Sequence, residues 1–283
     1  MQIVEYNFDM KVVILCGGLG TRMREETEFR PKPLVDVGGR PILWHIMKLY
    51  AHHGFLDFIL CLGYRGNMIK EYFLNYEAMN KDFTVRLGKQ AGIRYQGDHE
   101  EQDYRVTLAE TGPETMTGGR VKRVAKYVGD DERFMLSYGD GVSDVDICKL
   151  LDFHCSHGRL ATVTTFRPAS RFGILDIDRE SQVKAFIEKP KSDAWASAGF
   201  FVFERKIFDY IDGDQCTLEH EPLERLAAEG QLMAYRHEGF FYAMDTFREY
   251  QILNDLWKSG NAPWKIWSAG KNCGRAGLKP RAD

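Results

Sequence analysis

Lys11-Val12-Val13-Ile14-Leu15-Cys16-Gly17-Gly18-Leu19-Gly20-Thr21-Arg22 runs an apolar, β-branched segment directly into three glycines, and Arg30-Pro31-Lys32 follows, its lysine ten residues after Arg22. A short apolar run bounded by glycines reads as a fully buried strand. Glycines let the backbone turn its N–H groups toward a phosphate at close range. Arg22 and Lys32 then supply the charge to neutralise a polyphosphate. Two common phosphate-binding fingerprints do not fit. Gly-x-Gly-x-x-Gly is met by Gly18 and Gly20 but has Met23 at the third position, and no Gly-Lys-Ser/Thr is present.

Segments of the two periodicities alternate beyond this loop. Asp57–Leu62 and Arg133–Tyr138 are apolar strands, while Pro41–His53, Gly66–Tyr76, Gly119–Val128 and Val145–His157 carry helical patterns. Such alternation implies βαβ units: an α/β, mostly parallel mixed sheet flanked by helices. The second half is richer in strands, at Ala161–Phe166, Gly173–Ile177, Val183–Ile187 and Gly199–Phe203, which suggests a small β-rich appendage. Helices are expected near Lys206–Ile211, Thr217–Glu229 and Phe247–Gly260, with one or two strands in Leu232–Met244. One domain over residues 10–267 is expected, with an extension at 1–9 and a polar tail at 268–283.

The 283 residues are 44% hydrophobic and 28% charged with a net charge of −3, an ordinary globular balance that gives no basic field for nucleic acid or anionic membrane. Met1–Met10 lacks the apolar core of a signal peptide, and no apolar run approaches the ~20 residues needed to span a bilayer. Six scattered cysteines without a CxxC pair fit a reducing cytoplasm better than disulfides or structural zinc. His45, His52 and His53 share one helix and read as packing or surface residues.

Candidate site residues lie at strand ends. Asp140, within Tyr138-Gly139-Asp140-Gly141, is placed to hold Mg²⁺, which takes one or two carboxylates and completes its shell with phosphate and water oxygens. Asp245, after Phe240–Met244, reads either as the second ligand or as the cap of the following helix. Glu188-Lys189 reads either as sugar hydroxyl acceptor and phosphate grip or as a surface pair. Gly118-Gly119 before a basic helix offers exposed backbone to a flat base, and Arg120 a donor to a base carbonyl. Glu219-His220-Glu221 opens a helix, where carboxylates favour the dipole.

Together these residues resemble the sugar-1-phosphate nucleotidylyltransferases, whose pattern is Gly-Gly-x-Gly-Thr-Arg followed by Pro-Lys. The resemblance runs from about Met10 to Trp267. Arg24–Thr27, Pro41–Met47, Met116–Arg120, Tyr138–Val142, Arg171–Gly173, Glu188–Pro190, Met244–Thr246 and Ala262–Lys265 look most like the glucose-1-phosphate cytidylyltransferase branch. The resemblance implies a Rossmann-like sheet of the nucleotide-diphospho-sugar transferase type. It implies in-line attack of a sugar 1-phosphate on the α-phosphorus of CTP, with Mg²⁺ on Asp140 and Asp245. Arg22 and Lys32 would stabilise the departing pyrophosphate, and Lys189 would hold the sugar phosphate. Leu15, Gly17, Gly18, Gly20, Thr21, Thr117, Gly118, Gly119, Arg120 and Asp140 would frame the nucleotide, and Gly173, Glu188, Lys189, Ser197 and Gly199 the sugar phosphate. A cytoplasmic homo-oligomer, hexamer or tetramer, is implied as well.

Three departures stand out: Ser197-Ala198 where the family has Asn-Gly, Arg30 where the branch has lysine, and the extension before Met10. Serine has one donor where asparagine has two, and a lost hydroxyl contact costs ~1–3 kcal/mol. The alternatives are the same reaction with dTTP, UTP, GTP or a modified hexose 1-phosphate, and a non-catalytic sugar-nucleotide-binding regulator. An NAD-dependent dehydrogenase is disfavoured by Met23.

Overall fold

The structure, a computed structural model, describes residues 9–20, 23, 27–88, 91–169, 172–188 and 192–268. The first half contains β1 (Lys11–Leu15), β2 (Asp36–Val37), β3 (Arg40–Pro41), α1 (Ile42–His52), β4 (Asp57–Leu62), α2 (Gly66–Leu74), α3 (Tyr76–Asn80), β5 (Asp82–Arg86), β6 (Gly92–Gln96), β7 (Arg105–Glu110), α4 (Thr117–Arg123) and α5 (Ala125–Val128). The second half contains β8 (Arg133–Tyr138), β9 (Gly141–Ser143), α6 (Ile147–His157), β10 (Ala161–Phe166), β11 (Ile174–Ile177), β12 (Val183–Ile187), β13 (Ala196–Glu204), α7 (Glu221–Ala228), β14 (Leu232–Arg236), β15 (Phe241–Ala243) and α8 (Phe247–Lys258).

Seven strands form the main sheet in the order β14-β10-β13-β8-β1-β4-β7. The pairs β8–β1, β1–β4, β4–β7 and β10–β14 are parallel, and β13 lies antiparallel to both neighbours. The expected mostly parallel mixed sheet is therefore present. β1 shows why its run is continuously apolar: Val12 and Ile14 join the core on one face, Val13 and Leu15 the core on the other. Helix α1 begins directly after Pro41, buries every residue from Ile42 to Tyr50, and is followed by Gly54 at φ +93°.

Several boundaries moved. The expected Gly119–Val128 helix breaks at Val124 into α4 and α5, and the Gly66–Tyr76 helix ends at Leu74 before α3. The segment near Lys206–Ile211 is a 3₁₀ helix, Arg205–Tyr210, and the helix expected from Thr217 starts at Glu221. Leu232–Met244 resolves into β14 and β15. The hairpins β5–β6 and β11–β12 stand outside the main sheet, every residue of their strands exposed. No helix among the described residues is long and apolar enough to cross a membrane.

His45 locks the end of the described chain onto α1. Its Nε2 lies 2.8 Å from the Val37 carbonyl, and the Trp264 indole N–H donates to its Nδ1 at 3.2 Å. Nε2 is therefore the protonated nitrogen of a neutral ring. Trp44, Trp257 and Trp267 surround it, and burial lowers its pKa to about 4. Burial, then the neighbouring His157 and Arg133, lowers His154 to about 3. Both histidines stay neutral in the native state, while the unfolded chain takes up protons from about pH 6.5 downward. Stability should therefore fall as pH drops from roughly 6.5 to 4, by up to ~1.4 kcal/mol per pH unit for each group. Urea unfolding at stepped pH should show this slope, reduced by about one proton in His45→Gln.

Candidate active site

The carboxyl ends of the parallel strands surround a cavity of about 510 Å³. Its lining includes Leu15, Cys16, Gly17, Gly18, Leu19 and Gly20 from the end of β1, Lys32 and Pro33, residues 113–117, Arg120, and Tyr138, Gly139, Asp140 and Asp245. A crevice at the strand carboxyl ends is where open α/β sheets gather their ligands.

The glycine loop is shaped from below and open from above. Cys16 N–H extends the ladder to the Cys61 carbonyl at 3.0 Å, and Tyr64 N–H reaches the Gly17 carbonyl at 3.2 Å. A Cβ on Gly17 would lie 2.2 Å from the Arg120 guanidinium, whereas one on Gly18 would meet nothing within 4 Å. Gly20 adopts φ +62°, and its carbonyl accepts from Met23 N–H and the Thr27 hydroxyl.

Lys32, Asp140 and Asp245 come together from three places in the chain. The Lys32 ammonium donates to Asp140 Oδ2 at 2.6 Å and to Asp245 Oδ1 at 2.7 Å. Burial alone would lower the lysine pKa, but the charge and hydrogen bond of Asp140, then those of Asp245, outweigh it and raise it. The two aspartates meet because β9 and β15 pair antiparallel, with Met244 N–H donating to the Asp140 carbonyl at 2.9 Å. Helix capping does not consume Asp245. Thr246 is the N-cap of α8 and forms a capping box with Glu249, whose carboxylate also accepts from Asp245 N–H at 2.7 Å. The Asp245 side chain is left pointing into the cavity. The two carboxylates are 32% and 29% exposed and already share one cation. That donor set fits Mg²⁺, with room for phosphate and water oxygens.

Arg120 does different work from that expected of a base donor. It is 4% exposed, and its guanidinium donates to the carbonyls of Leu62, Gly112, Gly17 and Pro113 and to the Thr111 hydroxyl, at 2.7–3.3 Å. Gly118 and Gly119 are buried, not open to a ligand. A Cβ on them would meet Cys216 and Asp214 backbone at 2.7 and 2.6 Å, so the glycine pair seats α4 against segment 214–216. Thr117 does line the cavity. Its hydroxyl donates to Glu219 Oε2 and accepts from Leu218 N–H.

Gly199 lies beneath the cavity wall, whereas Ser197 is exposed and absent from the lining. Ser197 Oγ accepts from Gly199 N–H at 3.2 Å, and a Cβ on Gly199, at φ +73°, would meet the Tyr138 ring at 2.2 Å. Tyr138 donates to Glu219; burial and then that carboxylate raise its pKa, so it stays a neutral donor. Gly173 and Glu188 sit at the ends of the β11–β12 hairpin, a Cβ on Gly173 falling 3.2 Å from Glu188 Oε2, and neither is among the lining residues. Thr21, Arg22 and Lys189 lie outside the described residues. Sequence reasoning passed over Tyr138 and Glu219, although both stood within quoted motifs.

Residues 11–247 match the family model described as nucleotidyl transferase. The glucose-1-phosphate cytidylyltransferase of Salmonella typhimurium is 53% identical over 91% of this chain and 100% of its own length. A probable glucose-1-phosphate cytidylyltransferase of Bacillus subtilis is 45% identical over the same shares. Among solved structures, HddC from Yersinia pseudotuberculosis superposes with a TM-score of 0.65 at 23% identity, over 88% of this chain and 99% of that one, a likeness of fold.

Arg120→Leu should cost on the order of 3 kcal/mol in urea unfolding, because it strips the donor from several buried acceptors at once. Arg120→Lys should recover only part, since an ammonium lacks the planar fork that reaches both sides.

Proposed function

The chain belongs to the nucleotidyl transferase family, and from that premise we propose that it transfers the cytidylyl group of CTP to glucose 1-phosphate, giving CDP-glucose and pyrophosphate. The observation that carries the chemistry is the Lys32 ammonium bracketed by Asp140 and Asp245 on a cavity floored by a glycine loop. The choice of CTP and glucose 1-phosphate rests on the two relatives of that name.

A phosphate oxygen of the sugar 1-phosphate attacks the α-phosphorus, and the bond to the β-phosphate breaks with pyrophosphate leaving in line. The nucleophile is already anionic near neutral pH, so no side chain need remove a proton. The residues chiefly position and neutralise. Backbone N–H groups at Gly18 to Gly20 meet the phosphates, and Lys32 turns from the aspartates to the oxygens of the leaving pyrophosphate. Arg22 supports that charge, and Lys189 holds the sugar phosphate. Asp140 and Asp245 would hold Mg²⁺, which when bound neutralises phosphate oxygens and makes the α-phosphorus more electrophilic.

On the sugar side, Gly199 acts through the Tyr138 ring that packs against it and Ser197 through its bond to Gly199, with Glu188 as acceptor. Leu15, Thr117 and Arg120 border the base and ribose. We assign the enzyme to the cytoplasm as a homo-oligomer. Exposed Phe83, Ile93, Leu175 and Phe186 on the two hairpins support self-association. Sedimentation at the mass of one chain across micromolar concentrations would remove that part of the reading.

The decisive assay is pyrophosphate release over four nucleoside triphosphates and several sugar 1-phosphates, with Mg²⁺. CTP with glucose 1-phosphate should turn over fastest; faster turnover with dTTP would overturn the cytidylyl assignment. Lys32→Ala and Asp140→Asn should each lower kcat by at least about 100-fold while circular dichroism stays unchanged.

A further inference from the structure

A second cluster of metal-ligating side chains lies away from the cavity lining. His53, the C-cap of α1, faces Asp146, the N-cap of α6, and Cys148 in the first turn of that helix. His53 Nδ1 is 3.7 Å from Cys148 Sγ and 4.0 Å from Asp146 Oδ1, and all three ligand atoms lie within 4.8 Å of one another. His53 and Cys148 are each 4% exposed, whereas the Asp146 side chain is one-third exposed.

We infer that this cluster is a zinc site, distinct from the proposed Mg²⁺ site in both ligand type and place. Bonds of about 2.0–2.3 Å at tetrahedral angles separate ligand atoms by roughly 3.5 Å. Two of the spacings, 3.7 and 4.0 Å, come within about half an ångström of that and the third is within 4.8 Å, so side-chain rotations that release His53 from its bond to the Val145 backbone close the site. Thiolate and imidazole select Zn²⁺, whereas the all-oxygen pair Asp140 and Asp245 suits Mg²⁺. The fourth position opens beside Asp146, where water can enter.

Two other contacts of Asp146 are compatible with a metal. Its Oδ1 also accepts from Lys149 N–H at 3.0 Å, and a carboxylate oxygen has a lone pair left for each. The Lys149 ammonium, 3.4 Å from Oδ2 on an exposed side chain, can swing into solvent. Metal entry deprotonates the thiol and releases that proton to solvent. The bound ion would then cross-link α1 to the start of α6, just beyond the β9 strand that follows Asp140.

The test uses the full chain stripped by chelator, with excess Mg²⁺ present to occupy oxygen ligands. Co²⁺ serves as the spectroscopic probe and Zn²⁺ as its competitor. One equivalent of Co²⁺ should give an intense thiolate-to-cobalt charge-transfer absorption that Zn²⁺ abolishes. The absorption should vanish in Cys148→Ser, weaken at least about tenfold in apparent affinity in His53→Gln, and persist in Cys155→Ser, which alters an exposed thiol. Zn²⁺ should raise Tm of the wild type and not of Cys148→Ser. Circular dichroism and pyrophosphate release by the variants verify folding, and Cys148→Ala replaces the serine variant if that one unfolds. Absence of the charge-transfer band in the wild type, or its survival in both Cys148 variants, would show that the cluster is only a thiol–imidazole contact beside a helix cap.

Discussion

The architecture of this cavity hangs on one buried guanidinium. Parallel strands all terminate at the same edge of the sheet, and the backbone carbonyls at and just beyond their ends run out of neighbouring strands to pair with. Arg120 crosses that edge and donates to the last residue of β4 and to the segments following β1 and β7. The planar fork suits the task because its donors point in fixed, divergent directions. It also explains glycines that seem to belong to ligand binding. A side chain on Gly17 or Gly63 would collide with the same guanidinium, at 2.2 and 2.4 Å. The loop is thus glycine-rich for the cation beneath it as well as for any phosphate above it.

A second constraint joins the halves of the chain. β9 and β15 are only three residues each, yet their pairing sets Asp140 against Asp245 across more than a hundred residues of sequence. The capping box of α8 completes the arrangement by giving the helix terminus to Thr246 and Glu249. One short ladder and one helix start therefore bring the two carboxylates to a single cation. Zinc at His53, Asp146 and Cys148 would brace the same region from behind, since α1 packs directly against β9.

Much of this was legible before any coordinates. Unbroken apolar runs such as Val12–Leu15 mark strands buried on both faces, and the sheet follows from their alternation with helices. The hairpin β5–β6 and the edge strand β7 escaped because their residues are mixed in polarity, the hairpin strands exposed and β7 only partly buried, leaving little hydrophobic period to read. Asp245 could have been separated from the cap in sequence alone, since Thr246-Phe247-Arg248-Glu249 is itself a capping-box signature. Gly118-Gly119 could not be resolved that way. A glycine pair looks the same whether it admits a ligand or a neighbouring backbone, and here it admits the backbone of Asp214 and Cys216. Arg120 was similarly opaque, because a lone arginine carries no mark of whether its acceptors are internal.

The bracket around Lys32 also bears on how the resting protein lives without substrate. Two carboxylates this close would ordinarily repel, and a chain relying on an outside ion to quiet them would mature only where that ion is plentiful. Here the protein carries its own counter-ion on a tethered arm. On the proposed function, loading the cavity would be an exchange of ions rather than the filling of a charged hole. On that proposal, the same lysine that calms the aspartates at rest would be freed when a polyphosphate arrives to receive it.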